Sequence, residues 1–96
     1  MTNTLIHPGE ILREEFLIPL GISPYTLAQL LHVPRTRIER VVAEKSAITP
    51  DTALRLSRFF NTTPEFWLNM QAHHDVERLR SRLQKELESI KQYSPA

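Results

Sequence analysis

Five side chains between Arg35 and Lys45 could do recognition chemistry: Arg35, Thr36, Arg37, Arg40 and Lys45, interleaved with Ile38, Val41 and Val42. On a helix of 3.6 residues per turn the aliphatic trio shares one side, and Arg35, Thr36 and Arg40 fall on the face opposite. Arginine can reach two acceptors of guanine at once, and threonine can bond a base edge or touch the thymine methyl, so these three are candidate base readers. Arg37, Lys45 and Gln29 suit phosphates, which fix position without carrying sequence information. The same charges would also describe an ordinary solvated helix face. Charge alone therefore leaves both readings open.

Other groupings are weaker. His73 and Glu77 stand one helical turn apart with His74-Asp75 beside them, but adjacent histidines diverge by about 100° on a helix. Structural zinc needs four converging ligands, so no metal is expected. Glu14 and Glu15 diverge in the same way. With two glycines in the chain there is no glycine-rich phosphate loop, and no cysteine is present to act as nucleophile. No catalytic set and no cofactor are expected.

The elements that must position the basic residues are marked by proline. Five of the seven prolines, Pro8, Pro24, Pro34, Pro50 and Pro64, precede segments with helical apolar spacing. Proline is tolerated in a first helical turn, where its missing N–H had no partner. Ser23, Thr49 and Thr63 stand just before three of them as capping residues, and His7 is expected to cap the first helix. The spacing predicts five helices. The first runs from about Pro8 to Leu17, with Ile11, Leu12, Phe16 and Leu17 inward and Pro19 and Gly21 as stops. The second covers about Pro24 to Leu31, with Leu27, Ala28 and Leu31 inward. The third starts at Pro34; the fourth starts at Pro50 and turns Ala53, Leu54, Leu56 and Phe60 inward. The fifth starts at Pro64, where Phe66, Trp67 and Met70 look like core, and can continue to Ile90. Along its later part Val76, Leu79, Leu83, Leu87 and Ile90 form a single apolar stripe between charges. That stripe must be covered by the chain's own core, by a second copy, or by another protein.

Only His32 and Val33 separate the second and third helices from Pro34. Two short helices joined so tightly cross steeply and leave one face of the second free. In a helix-turn-helix that face enters the DNA major groove. The turn, added to the apolar spacing on both sides, favours DNA over a merely solvated face. The expected fold is all-α: a five-helix, repressor-like helix-turn-helix domain with an extended C-terminal helix. Residues 1–75 form the DNA-binding part, and residues 76–96 continue the same domain as a candidate dimerisation element.

Composition bounds the rest. The chain has 96 residues, enough for one domain, with net charge +1. A domain of this size buries roughly 65% of its unfolded surface and gains from a partner subunit. The start, Met1-Thr2-Asn3-Thr4-Leu5-Ile6, has neither a basic opening nor a long apolar run, so no leader is expected. No stretch approaches the roughly 18 apolar residues of a membrane span. A cytoplasmic location without membrane contact is expected, and the tail from Gln92 to Ala96 is expected to be loose.

Several stretches resemble known regulators. Ser23-Pro24-Tyr25-Thr26-Leu27-Ala28-Gln29-Leu30-Leu31 through Lys45 is similar to the helix-turn-helix of phage-repressor-type proteins. His7-Pro8-Gly9-Glu10-Ile11-Leu12-Arg13-Glu14-Glu15-Phe16-Leu17 resembles the opening of the HigA antitoxins. So do Ile48-Thr49-Pro50-Asp51-Thr52-Ala53-Leu54-Arg55-Leu56-Ser57 and Thr63-Pro64-Glu65-Phe66-Trp67-Leu68-Asn69. The resemblance covers roughly His7 to Val76. It implies an antitoxin that neutralises a HigB-type mRNA-cleaving toxin and, as a homodimer, represses its own operon at operator DNA. A regulator without a toxin is the alternative. The same resemblance places Arg35, Thr36 and Arg40 where such helices carry base-reading side chains, and Gln29 where a phosphate is held. The sequence departs from the pattern at His32 and Glu44, where relatives commonly have glycine because positive φ is needed.

Overall fold

The computed structural model describes residues 5–95, with no strand among them. Residues 1–4 of the N-terminal segment, and residue 96 of the tail, lie outside the described residues. Five helices follow one another. The first, α1, is a rod of three consecutive pieces, Pro8–Ile11, a π-helical stretch Leu12–Leu17, and Ile18–Leu20. Then come α2 (Pro24–Leu31), α3 (Arg35–Val42), α4 (Pro50–Phe60) and α5 (Pro64–Ser89).

The starts follow the proline logic. Ser23, Thr49 and Thr63 hold extended N-cap backbones, and their side chains accept the N–H of Thr26, Thr52 and Phe66. His7 does the same for α1, its Nδ1 accepting from the Gly9 N–H at 2.9 Å. Pro34 differs: it is the N-cap of α3, so that helix begins at Arg35 rather than at the proline.

Two helix ends differ from expectation or refine it. Pro19 does not stop α1; it lies inside the last turn, and Gly21 ends the rod with φ 66°. In an α-helix the proline ring would meet the carbonyl four residues back. Here the preceding turn is widened into π geometry, with the Ile18 N–H reaching Arg13 O, and a π-bulge is one of the few devices that absorb such a conflict. Elsewhere His32, Glu44 and Asn61 take positive φ. Val33 N bonds to Ala28 O and Lys45 N to Arg40 O, the longer bond of a Schellman closure at the ends of α2 and α3. His32 and Glu44 thus adopt the glycine geometry without glycine, at a cost of about 1 kcal/mol each.

One core joins all five helices: Leu12, Leu17, Leu27, Ala28, Leu31, Ile38, Val41, Val42, Ile48, Ala53, Leu56 and Trp67. The fully buried Trp67 donates its indole N–H to Thr62 Oγ1 at 2.8 Å. Phe16 lies against the rings of Phe60 and Trp67, 4.8 and 5.1 Å between centroids. Of the residues expected inside, Ile11 is only partly buried and lies outside the core, and two more are exposed. Leu54 is exposed, because Ala53 already faces the core and its neighbour turns about 100° away. Phe66 is half out for the same reason beside Trp67, with its ring edge against the indole.

α5 leaves the core partway along. From Arg78 onward every described residue is exposed, and residues 91–95 have no regular structure. The stripe is open to solvent, from 42% for Leu79 and Leu83 to 66% for Ile90. Coverage by the chain's own core is therefore removed as an account of it. No helix among the described residues is long and apolar enough to cross a membrane.

Candidate nucleic-acid interface

α3 is held from behind and open in front. Its Ile38, Val41 and Val42 are buried, while Arg35, Thr36, Glu39 and Arg40 are exposed. Helical spacing puts Thr36 and Arg40 nearest the centre of the free face. Arg35 sits nearer its edge, leaning toward α2: its guanidinium carbon is 5.7 Å from the centroid of the Tyr25 ring, and Nε is 3.4 Å from Glu39. Arg40 is steadied by its own C-terminal turn, donating from Nε to Ser46 Oγ at 2.9 Å and from Nη2 to Lys45 O at 3.4 Å.

The residues assigned to phosphates are in three different situations. Gln29 is exposed on α2 and donates to the Tyr25 hydroxyl at 3.2 Å. Lys45 is exposed on the turn after α3. Arg37 is not free: its Nη1 is 2.6 Å from Asp51 Oδ1 at the start of α4. The same oxygen accepts Arg55 Nε at 2.8 Å, and Arg55 Nη1 continues to Leu31 O at 2.8 Å and His32 O at 3.4 Å. The guanidinium of Arg55, then that of Arg37, holds the Asp51 carboxyl below its ordinary value. Sequence reading missed Asp51, Arg55, Ser46, Tyr25 and Glu39 here. The i,i+4 spacing of Asp51 and Arg55 was a visible signal; the Arg37–Asp51 pair, fourteen residues apart, left none.

The turn following α3 is clamped from three sides. Arg13 of α1 donates to the Val42 carbonyl and reaches Glu44 at 3.2 Å; its pKa is raised, chiefly by the bond to Glu14. Gln71 of α5 accepts the Ile48 N–H at 2.7 Å and donates to Asp75 at 3.0 Å. His7 is the third clamp. Its ring lies edge-on to His74, 4.9 Å between centroids, with Glu44, Ser46 and Asp75 around the same cleft. His74 is thus a packing partner of His7, its Nδ1 3.2 Å from Asp75, while His73 is exposed.

Burial first, and the neighbouring His74 second, push His7 below the usual imidazole value of 6.5, against weaker opposing pulls from Glu44, Asp75 and Ser46. The folded protein then prefers neutral His7, as its role as acceptor for Gly9 N–H requires. Above the unfolded value both states are neutral and this stabilisation is complete. As pH falls through that value the unfolded chain takes the proton first, and stability declines. Thermal unfolding followed between about pH 7.5 and 5 is expected to show this loss. A His7→Asn variant, whose side chain can still cap, should lack the His7 share; an identical slope in both would remove His7 as the titrating group.

The chain is similar in sequence and fold to known proteins. A helix-turn-helix family matches residues 12–67. Virulence-associated protein I of Dichelobacter nodosus is 54% identical over 72 residues, 75% of this chain and 67% of that protein. Antitoxin HigA-1 of Vibrio cholerae is 36% identical over 83 residues, 86% of this chain and 78% of that one. The structure of the Pseudomonas aeruginosa antitoxin HigA with the higBA promoter superimposes with a TM-score of 0.88 at 38% identity, covering 93% of this chain and 98% of that one.

Proposed function

The chain belongs to the helix-turn-helix family that includes the HigA antitoxins, and from that premise we propose that it represses its own operon at operator DNA and neutralises a HigB-type toxin. One observation carries the reading. α3 presents Thr36 and Arg40, with Arg35 at the edge, on a free face backed by a rigid core, in a fold that matches a promoter-bound antitoxin along nearly its whole length. Arg35, Thr36 and Arg40 read bases; Gln29 and Lys45 hold phosphates, and Arg37 adds a phosphate contact through guanidinium nitrogens other than the Nη1 that Asp51 holds. The exposed stripe of α5 pairs two copies, so that two α3 helices enter successive major grooves about 34 Å apart. Residues 76–96 serve as that pairing extension of a single domain, and the site of action is the cytoplasm.

Arg35→Ala and Arg40→Ala are each expected to weaken binding to the operon's own upstream DNA by about 1–3 kcal/mol, leaving toxin neutralisation intact. A gel-shift titration measures it, and unchanged affinity would withdraw the base-reading assignment. Coexpression with the adjacent small gene tests the other half, with growth rescue and copurification expected. Specific DNA binding without rescue would make the chain a regulator with no toxin partner.

A further inference from the structure

We propose that Asp51 is a positioning residue for α3, joining the recognition helix to the turn before it through Arg37 and Arg55. The inference rests on the operator-binding reading above. A single carboxylate oxygen receives Arg37 from α3 at 2.6 Å and Arg55 from its own helix at 2.8 Å. The far nitrogen of Arg55 closes the carbonyl end of α2 at Leu31 and His32. Those carbonyls belong to the last turn of a helix, which has no internal donors to offer them. His32, besides, holds a left-handed backbone that a non-glycine residue adopts only when its surroundings enforce it. α2, the turn, α3 and α4 are therefore linked through Asp51 and its two arginines.

Energetics argue that orientation is its purpose. The three side chains are 39–54% exposed, and ion pairs so exposed add little stability. A negative charge beside a DNA-facing helix opposes binding to a polyanion. What the carboxylate gives in exchange is direction: Arg37 stays along the flank of α3, and the Arg55 fork stays aimed at the turn. Without it, Arg37 is free to meet phosphates in any register, and α3 is less firmly angled for base edges. Both changes favour random DNA over the operator.

The test uses the full chain and two duplexes: one from the DNA upstream of its own reading frame, one a scrambled duplex of equal length. Asp51→Asn is expected to bind the scrambled duplex more tightly and to lose about tenfold in discrimination, the size of one base contact. Asp51→Glu should restore most of the ratio. Arg55→Lys, which keeps the charge count but not the fork, should lower it as Asp51→Asn does. Melting temperatures near the parent's would separate positioning from unfolding; if Asp51→Asn melts early, the Lys variant decides. Equal gains on both duplexes, or no restoration by Glu, would overturn the proposal and leave the operator reading standing. A parent chain that binds both duplexes alike would refute the operator reading, and the role of Asp51 with it.

Discussion

Gly9→Ala is expected to lower stability by about 3 kcal/mol, the upper end of overpacking costs, and the melting temperature by roughly 15 °C for a domain of this size. Gly9 is buried at the start of α1, where the rod touches the backbone of α3. A Cβ placed there would overlap the Val41 carbonyl oxygen and sit 3.0 Å from His7 Nδ1. Neither neighbour can yield cheaply. Val41 is in the last turn of the recognition helix, and His7 is buried, bonded to Gly9 and packed against His74. Relief requires α1 to move away from α3, which loosens the Arg13 clamp on Val42 and Glu44 as well. Operator affinity of the folded fraction should therefore fall too. Gly21→Ala is the control: nothing lies within 4 Å of its Cβ, so only the left-handed backbone resists, and a loss of about 1 kcal/mol is expected. Thermal denaturation of both variants gives the comparison. Similar, small losses would mean that the α1–α3 contact is soft.

Gly9 also shows where reading the sequence stops. Features whose cause lies within four residues were legible: Ser23, Thr49 and Thr63 as caps, His7 as the cap of α1, the short turn at His32-Val33, the buried faces of α2 and α3. The positive φ at His32 and Glu44 followed from recognising positions that relatives fill with glycine. Features whose cause lies across the fold were not legible. Gly9 faces a carbonyl thirty-two positions on, Gln71 supplies the acceptor for Ile48 N–H, and Asp51 binds an arginine of the preceding helix. Hydrogen bonds of this kind depend on how helices cross, which periodicity does not encode. Pro19 misled because its penalty assumes an α-helical turn ahead of it, and the chain substitutes a π-helical one. For the interface, the residues on the free face of α3 were legible from spacing; their restraints by Ser46, Tyr25 and Asp51 were not.

Leu83→Asp is expected to convert a dimer to monomers and to reduce affinity for the full operator by about a hundredfold or more, the scale on which linking two binding modules raises affinity. The stripe Val76, Leu79, Leu83 and Leu87 keeps one side of α5 apolar over about 17 Å at 1.5 Å per residue, and Ile90 follows just past the helix end. All five residues are at least two-fifths exposed, and charged residues including Arg80 and Glu86 lie on the flanks. An apolar strip with a charged rim resembles an interface more than a solvated surface. A carboxylate at its midpoint would be buried without a partner on association, which is strongly unfavourable. In the monomer the same carboxylate remains in water, because Leu83 touches none of the core that ends near Gln71 and Asp75. Circular dichroism and the monomer's own fold should thus be unchanged, and that separates loss of pairing from loss of folding. Sedimentation of parent and variant at micromolar concentration, followed by titration of a full operator and of a half-site, completes the measurement. The variant should match the parent on the half-site and fall behind only on the full one. If it sediments as a dimer like the parent, the two copies meet elsewhere and the stripe is left for the toxin.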